Sequence, residues 1–143
     1  MSDILTRLTI DAPPDRVWRA LTDFDAYPQW NAVIPVMRAE PREGGAVRFR
    51  VVLDGLPPLP MAARIVRWRP DRELAWRGGA PGVPALAWAE HWFALEPSGG
   101  GTALTHGERF GGLLAVAMRT GLHARVTRTY DALNRAIKAR AEA

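Results

Sequence analysis

The sequence has no cysteine, a single lysine (Lys138) and no apolar run long enough to cross a bilayer. Without thiols, disulfide staples, thiolate redox chemistry and cysteine-held zinc are excluded, and only His, Asp and Glu remain as metal ligands. The stretch Leu113 to Met118 ends at Arg119, far short of the roughly 20 residues that a membrane span requires. No stable membrane insertion is expected. Met1 to Thr9 carries Asp3 and Arg7 and alternates in polarity, unlike the basic start and apolar stretch of a signal peptide. A cytoplasmic location is the expectation.

What is present is 143 residues, 48% of them apolar, with 13 Gly, 12 Pro and 6 Trp. That is enough for one domain over residues 1–143, and chains near this length bury roughly 68 to 70% of their unfolded surface. The formal charge of +4 comes from 19 Lys and Arg against 15 Asp and Glu. The arginines are scattered, as on a solvated surface, rather than clustered as in a nucleic-acid footprint.

Ile4 to Ile10 alternates in polarity and reads as a first strand. Asp11-Ala12-Pro13-Pro14 then supplies a turn with a cap-like Asp, leading into a helix over Asp15 to Leu21 whose buried stripe is Val17, Trp18 and Leu21. A second short helix is predicted over Asp25 to Trp30. From Val36 to Phe110 short alternating runs are punctuated by Gly and Pro, as in an antiparallel meander. Six strands are predicted there: Val36 to Glu40, Ala46 to Leu53, Met61 to Trp68, Glu73 to Gly78, Ala87 to Glu96 and Thr102 to Phe110. Finally Leu113 to about Ala141 lacks proline, and Leu122, Val126, Tyr130, Leu133 and Ile137 recur at steps of four, four, three and four. The spacing predicts one long amphipathic helix, with Gly121 marking a bend or a close contact.

Nothing alternates strand with helix after residue 35, so a doubly wound sheet is excluded. The order implies an α+β fold in which seven strands form a curved antiparallel sheet around the last helix. Such a sheet, with aromatic side chains propping its walls, is expected to leave an elongated pocket beside that helix.

The segment Ile10 to Asp23 (IDAPPDRVWRALTD), then Tyr27-Pro28-Gln29-Trp30-Asn31 and Leu74-Ala75-Trp76-Arg77-Gly78, carries a resemblance that continues through the second half. There it runs over His91-Trp92-Phe93-Ala94-Leu95-Glu96-Pro97, Gly100-Gly101-Thr102, Leu104-Thr105-His106 and Glu108-Arg109-Phe110. Over nearly the whole chain these residues resemble the START-like superfamily, which includes the birch-pollen allergen proteins and polyketide cyclases. They look most like its bacterial polyketide cyclase/dehydrase and lipid-transport branch. The resemblance implies a helix-grip fold and a cavity for lipids, hormones or polyketides. It specifies fold more than chemistry, since only some members catalyse.

In the hairpin across Pro97 to Gly101, pairing Leu95 with Leu104 sets Phe93 against His106 and His91 against Glu108. This register would place an imidazole beside a carboxylate on the cavity wall, able to trade a proton with an enolisable carbonyl. His91, His106 and Glu108 are therefore the candidate catalytic residues, although such a pair also satisfies itself without doing chemistry. The same three match a two-His-one-carboxylate ligand set, but no supporting partner is visible and no metal is expected. His123 lies on the last helix, facing either the cavity or solvent. The predicted ligand lining is Trp30, Phe49, Val51, Trp76, Phe93, Phe110, Leu114, Met118 and Leu122. Trp30 is placed at the cavity entrance and Trp18 as a fold anchor. Trp92 has the opposite parity from His91, and exposed there it would suggest a homodimer contact. Trp68 and Trp88 stand near strand ends and stay unassigned. Asp54 to Pro60 reads as a hairpin loop or as a proline-stiffened lid.

No cofactor is called for. Gly78 to Gly82 and Gly99 to Gly101 lack the Lys-Ser/Thr pair and following helix of a phosphate loop, and no nucleophile elbow or Ser-His-Asp pattern occurs. The first functional expectation is binding or transport of a hydrophobic small molecule, lipid or polyketide-like. The alternative is a cyclase/aromatase-type enzyme using His91, His106 and Glu108 in the same cavity. No nucleic-acid partner is expected, because the arginines of the last helix lie around much of its circumference with no recognition motif.

Overall fold

The computed structural model describes residues 3–79 and 86–143. Seven strands form one antiparallel sheet: β1 (Ile4–Ile10), β2 (Val36–Ala39), β3 (Ala46–Val51), β4 (Leu59–Arg69), β5 (Glu73–Gly79), β6 (Ala87–Ser98) and β7 (Gly101–Gly112). Their order is β1-β7-β6-β5-β4-β3-β2, so the first strand closes one edge beside the last. The helices are α1 (Pro14–Thr22), α2 (Tyr27–Trp30, entered through a short 3-10 turn), α3 (Leu113–Ala117) and α4 (Leu122–Glu142). The fold is α+β, as the residue pattern predicts. The connection predicted from Gly79 to Pro84, and with it the glycine loop over Gly78 to Gly82, lies outside the described residues from position 80.

Local chemistry explains most boundaries. Pro14 occupies the first position of α1, where a missing N–H costs nothing. The cap-like role expected of Asp11 is not taken up. The N-cap position is Pro13 without a side-chain bond, and the Asp11 N–H donates instead to Glu142 on α4. Asn31 ends α2 by accepting from the N–H groups of Val33 and Ile34 (3.1 and 2.8 Å), which turns the chain toward β2. The predicted continuous last helix is broken. Met118 to Gly121 form a turn, and the Thr120 hydroxyl bridges the break by donating to the Ala117 carbonyl (2.7 Å) and accepting from Leu122 N–H (3.3 Å). Periodicity alone could not show this, because Leu114, Met118 and Leu122 keep helical spacing across the turn.

The main core lies between the sheet, α1, α2 and the C-terminal half of α4. It contains Val17, Trp18, Leu21, Tyr27, Leu74, Trp76, Phe93, Leu104, Leu133 and Ile137. Trp18 anchors it, edge-on to Trp68 at 5.1 Å. A second, smaller cluster joins Ile4, Leu53, Met118, Val126 and Tyr130. The N-terminal half of α4 is thus served by few apolar neighbours.

The β6–β7 hairpin turns on Gly99 and Gly100, both at positive φ (56° and 85°). Two-residue loops of this kind match the right-handed twist of the strands and lock their register. The pairs that follow are Leu95 with Leu104, Phe93 with His106 and His91 with Glu108, the register expected from the sequence. A Cβ on Gly100 would meet nothing within 4 Å, so substitution there tests backbone conformation alone. Gly100→Val should cost about 1–2 kcal/mol, and Gly100→Asn clearly less, in urea denaturation. Equal costs would mean that the left-handed conformation does not hold the turn.

Candidate functional site

A pocket of about 540 Å³ lies between the sheet and the α3–α4 segment. Val51, Met61, Ala89 and Phe110 wall it on the strand side, and Leu114, Met118, Leu122 and Val126 on the helix side. Of its described lining residues only Glu108 and Tyr130 carry polar side-chain groups. Deeper in, a recess of about 40 Å³ is bounded by Phe49, Trp76 and His91 and shares Glu108 and Tyr130 with the larger space.

At that junction begins a chain of buried polar groups, and its proton positions follow from the outside inward. The Thr6 hydroxyl donates to the main-chain carbonyl of His106 (3.0 Å), so it accepts from Asn134 Nδ2 (2.7 Å). The Asn134 amide is thereby oriented with Oδ1 toward His106, whose Nδ1–H must donate to it (2.6 Å). His106 Nε2 then carries a lone pair and accepts from His91 Nε2–H (2.6 Å). The two rings are tilted by only 22°. His91 is left with a lone pair on Nδ1, 3.5 Å from Glu108 Oε2. Tyr130 donates its hydroxyl proton to that same oxygen.

Burial governs the charges. It holds His91 well below its ordinary value, with His106 lowering it further, and it depresses His106 to about 4 against the opposing Asn134 bond. Glu108 is pushed up to about 8 by the same desolvation, which outweighs the bond from Tyr130. The Tyr130 hydroxyl is raised well above its usual range by burial and by Glu108. His91 and Glu108 therefore meet near neutral pH as two uncharged groups rather than as an ion pair.

Phe49, Val51 and Trp76 border the recess, and Phe110, Leu114, Met118 and Leu122 border the larger pocket, with Val51 touching both. Two predicted lining residues do not. Trp30 packs edge-on to Tyr27 at 5.2 Å beside the main core, because α2 leans on that core and not on the pocket mouth. Phe93 is 2% exposed and stacks on His106 at 4.4 Å, since strand parity gives its face but not its depth. His106, also predicted to face the cavity, is fully enclosed and reaches the recess only through His91. Its bond to His91 turns the two Nε2 atoms on each other, not on a shared metal.

Trp92 lies on the opposite face from His91, half-buried with its ring over Gly107. Trp88 covers Gly111 in the same way and stacks under Arg77 (3.9 Å). His123 points to the Asp3 carbonyl (3.4 Å) at the start of β1. Of the loop Asp54 to Pro60, only Leu59 and Pro60, at the start of β4, touch the pocket. The residues missed from sequence are Tyr130, taken only as part of the apolar stripe, together with Asn134 and Thr6. Asn134 had a signal: an amide beside Leu133, one turn from Tyr130, on a helix face otherwise buried.

The sequence matches the family described as polyketide cyclase/dehydrase and lipid transport over residues 1–142. The chain belongs to that family. Among solved structures it is similar to the Zhui aromatase/cyclase from Streptomyces sp. R1128 (TM-score 0.77, 21% identity, 98% of this chain and 93% of that one). It is also similar to the protein TTHA0849 from Thermus thermophilus (TM-score 0.76, 16% identity, 97% and 96%). A third similar structure is the Aha1 dimer from Colwellia psychrerythraea (TM-score 0.72, 19% identity, 99% and 97%). At these identities the likeness establishes the helix-grip fold alone. Among curated proteins no sequence matches the chain significantly.

On this family scaffold the polar chain makes two checkable statements. A folded carboxyl raised to about 8 holds a proton that the unfolded chain releases from near 4.5 upward, so its contribution to stability is lost as pH rises through that window. The depressed histidines act oppositely, costing stability as pH falls below 6.5. Between pH 6.5 and 8 the Glu108 effect outweighs the opposing remainder from the two histidines, whose unfolded forms are half protonated at pH 6.5. The protein should lose about 1 kcal/mol over that interval by urea denaturation, and Glu108→Gln should abolish the fall. A flat wild-type curve would contradict a buried, protonated Glu108. Nitrogen NMR of the imidazoles should find the proton of His106 on Nδ1 and that of His91 on Nε2, with both assignments disturbed in Asn134→Leu. A wild-type His106 protonated on Nε2 would refute the order of donors given above.

Proposed function

We propose that the protein binds a hydrophobic small molecule, lipid or polyketide-like, in the pocket between the sheet and the α3–α4 segment. The observation that carries this reading is a space of about 540 Å³ whose described lining is apolar apart from Glu108 and Tyr130. A volume of this size lies within the usual span for small-molecule sites, where apolar walls give affinity and a few polar groups fix orientation. Met118, lining the floor, adapts to varied ligand shapes. Membership of a family of cyclases, dehydrases and lipid transporters supports the same reading.

A second reading, an enzyme of cyclase/aromatase type, is favoured by one specific feature. His91 and Glu108 both line the recess, with His91 Nδ1 3.5 Å from Glu108 Oε2, so a base and an acid stand side by side where a carbonyl compound would enter. His106, Asn134 and Thr6 hold that base in one tautomer. In this reading the pocket folds the substrate while His91 removes a proton and Glu108 supplies one to the developing enolate.

Filling the pocket separates binding from fold. Val126→Phe, placed among the lining residues, should weaken an uncharged fluorescent probe such as N-phenyl-1-naphthylamine at least about tenfold while the unfolding midpoint changes little. Unchanged probe affinity would remove the pocket as the binding site. Replacing His91 leaves probe binding mostly intact under either reading, but abolishes turnover only under the second.

A further inference from the structure

We propose that the pocket selects ligands whose buried end is an uncharged hydroxyl, an alcohol or a phenol, seated in the recess between His91 and Glu108. This inference rests on the proposed ligand-binding role and specifies the chemistry of its inner end.

Size gives the first argument. The recess offers about 40 Å³, room for an oxygen and its carbon but not for an anionic head with its hydration, since one water alone needs at least about 10–15 Å³ of such volume. Charge gives the second. The chain has 19 Lys and Arg, yet none of them is among the described residues that line either space. A carboxylate or phosphate entering the recess would be stripped of water without a cation to meet it.

The third argument is the direction of the hydrogen bonds. Tyr130 has committed its proton to Glu108, and His91 has committed its N–H to His106. What remains is an acceptor, the Nδ1 lone pair of His91, and the acidic proton of Glu108, whose burial keeps it in place up to about pH 8. One acceptor and one donor facing a small space are complementary to a group that both donates and accepts. A hydroxyl does this through a single atom. A carboxylate only accepts and would face the imidazole lone pair, while an ammonium only donates: the lone pair can take one of its hydrogens, but the Glu108 proton opposes it, and ionising Glu108 would leave a buried pair whose desolvation cancels much of its attraction.

The test uses calorimetry at pH 7 with four probes of equal chain length: dodecan-1-ol, its methyl ether, dodecanoate and dodecylammonium. The alcohol should bind at least about thirtyfold more tightly than either charged probe and about fivefold more tightly than the ether, which lacks the donor hydrogen. His91→Phe should erase the alcohol-over-ether preference, since the alcohol's donor hydrogen then has no acceptor. Should that variant fail to fold, the four-probe series on the native protein decides alone. Dodecanoate or dodecylammonium binding as well as the alcohol would overturn the selection and leave the pocket reading standing. Failure of all four probes would overturn the pocket reading and the selection with it.

Discussion

The hydrogen bond from His106 to Asn134 is the constraint on which the interior depends. It fastens the middle of α4 to the last strand at a point fully removed from water. Leaving either partner unpaired there would cost about 1–3 kcal/mol. Because Asn134 also reaches Thr6, the same side chain ties α4 to β1. Below this clasp, toward the C-terminus, Ile137 and Ala141 sink into the main core. Above it, toward the N-terminus, Tyr130 bonds Glu108 and Val126 faces open space. The helix is therefore held against the sheet at one end and away from it at the other, and the pocket is the wedge between.

How much of this was legible in the chain depended on which periodicity carried the information. The meander, the hairpin register and the His91–Glu108 pair followed from period-two alternation closed by Gly99-Gly100, a local signal that fixes distant neighbours. Depth was not so encoded. Phe93 and Trp76 share a face of adjacent strands, yet Trp76 borders the recess while Phe93 lies behind His106. Alternation says which side a residue faces and nothing about what stands in front of it. Trp30 failed for a related reason, since the packing of α2 against the core depends on the turn at Asn31, which a short helical segment does not announce.

The helix stripe hid the rest. A period of 3.6 registers Tyr130 as one more apolar position and passes over Asn134 altogether, although both point where the stripe points. Their partners, Glu108 and His106, lie 22 and 28 residues earlier, and no local rule links them. The break between α3 and α4 was equally silent. Thr120 replaces the lost helical bonds with two of its own, so the apolar spacing runs on undisturbed through a turn that bends the chain over the pocket.

A carboxyl sealed among apolar walls must find a cation, find a donor or keep its proton. Glu108 takes the second and third courses together, through Tyr130 and through burial. Keeping the site neutral has a chemical consequence. An ionised carboxylate beside His91 would raise the imidazole's basicity and draw a proton onto it, filling the lone pair that faces the recess. With Glu108 protonated and His106 giving His91 a fixed tautomer, the lone pair stays free and the acid stays loaded. The two proposed readings, binding and proton transfer, thus draw on the same resting arrangement. Under those proposals the ligand would divide them: a hydroxyl would accept what the recess offers and stay, whereas a carbonyl with an acidic neighbouring C–H would give His91 a proton to remove.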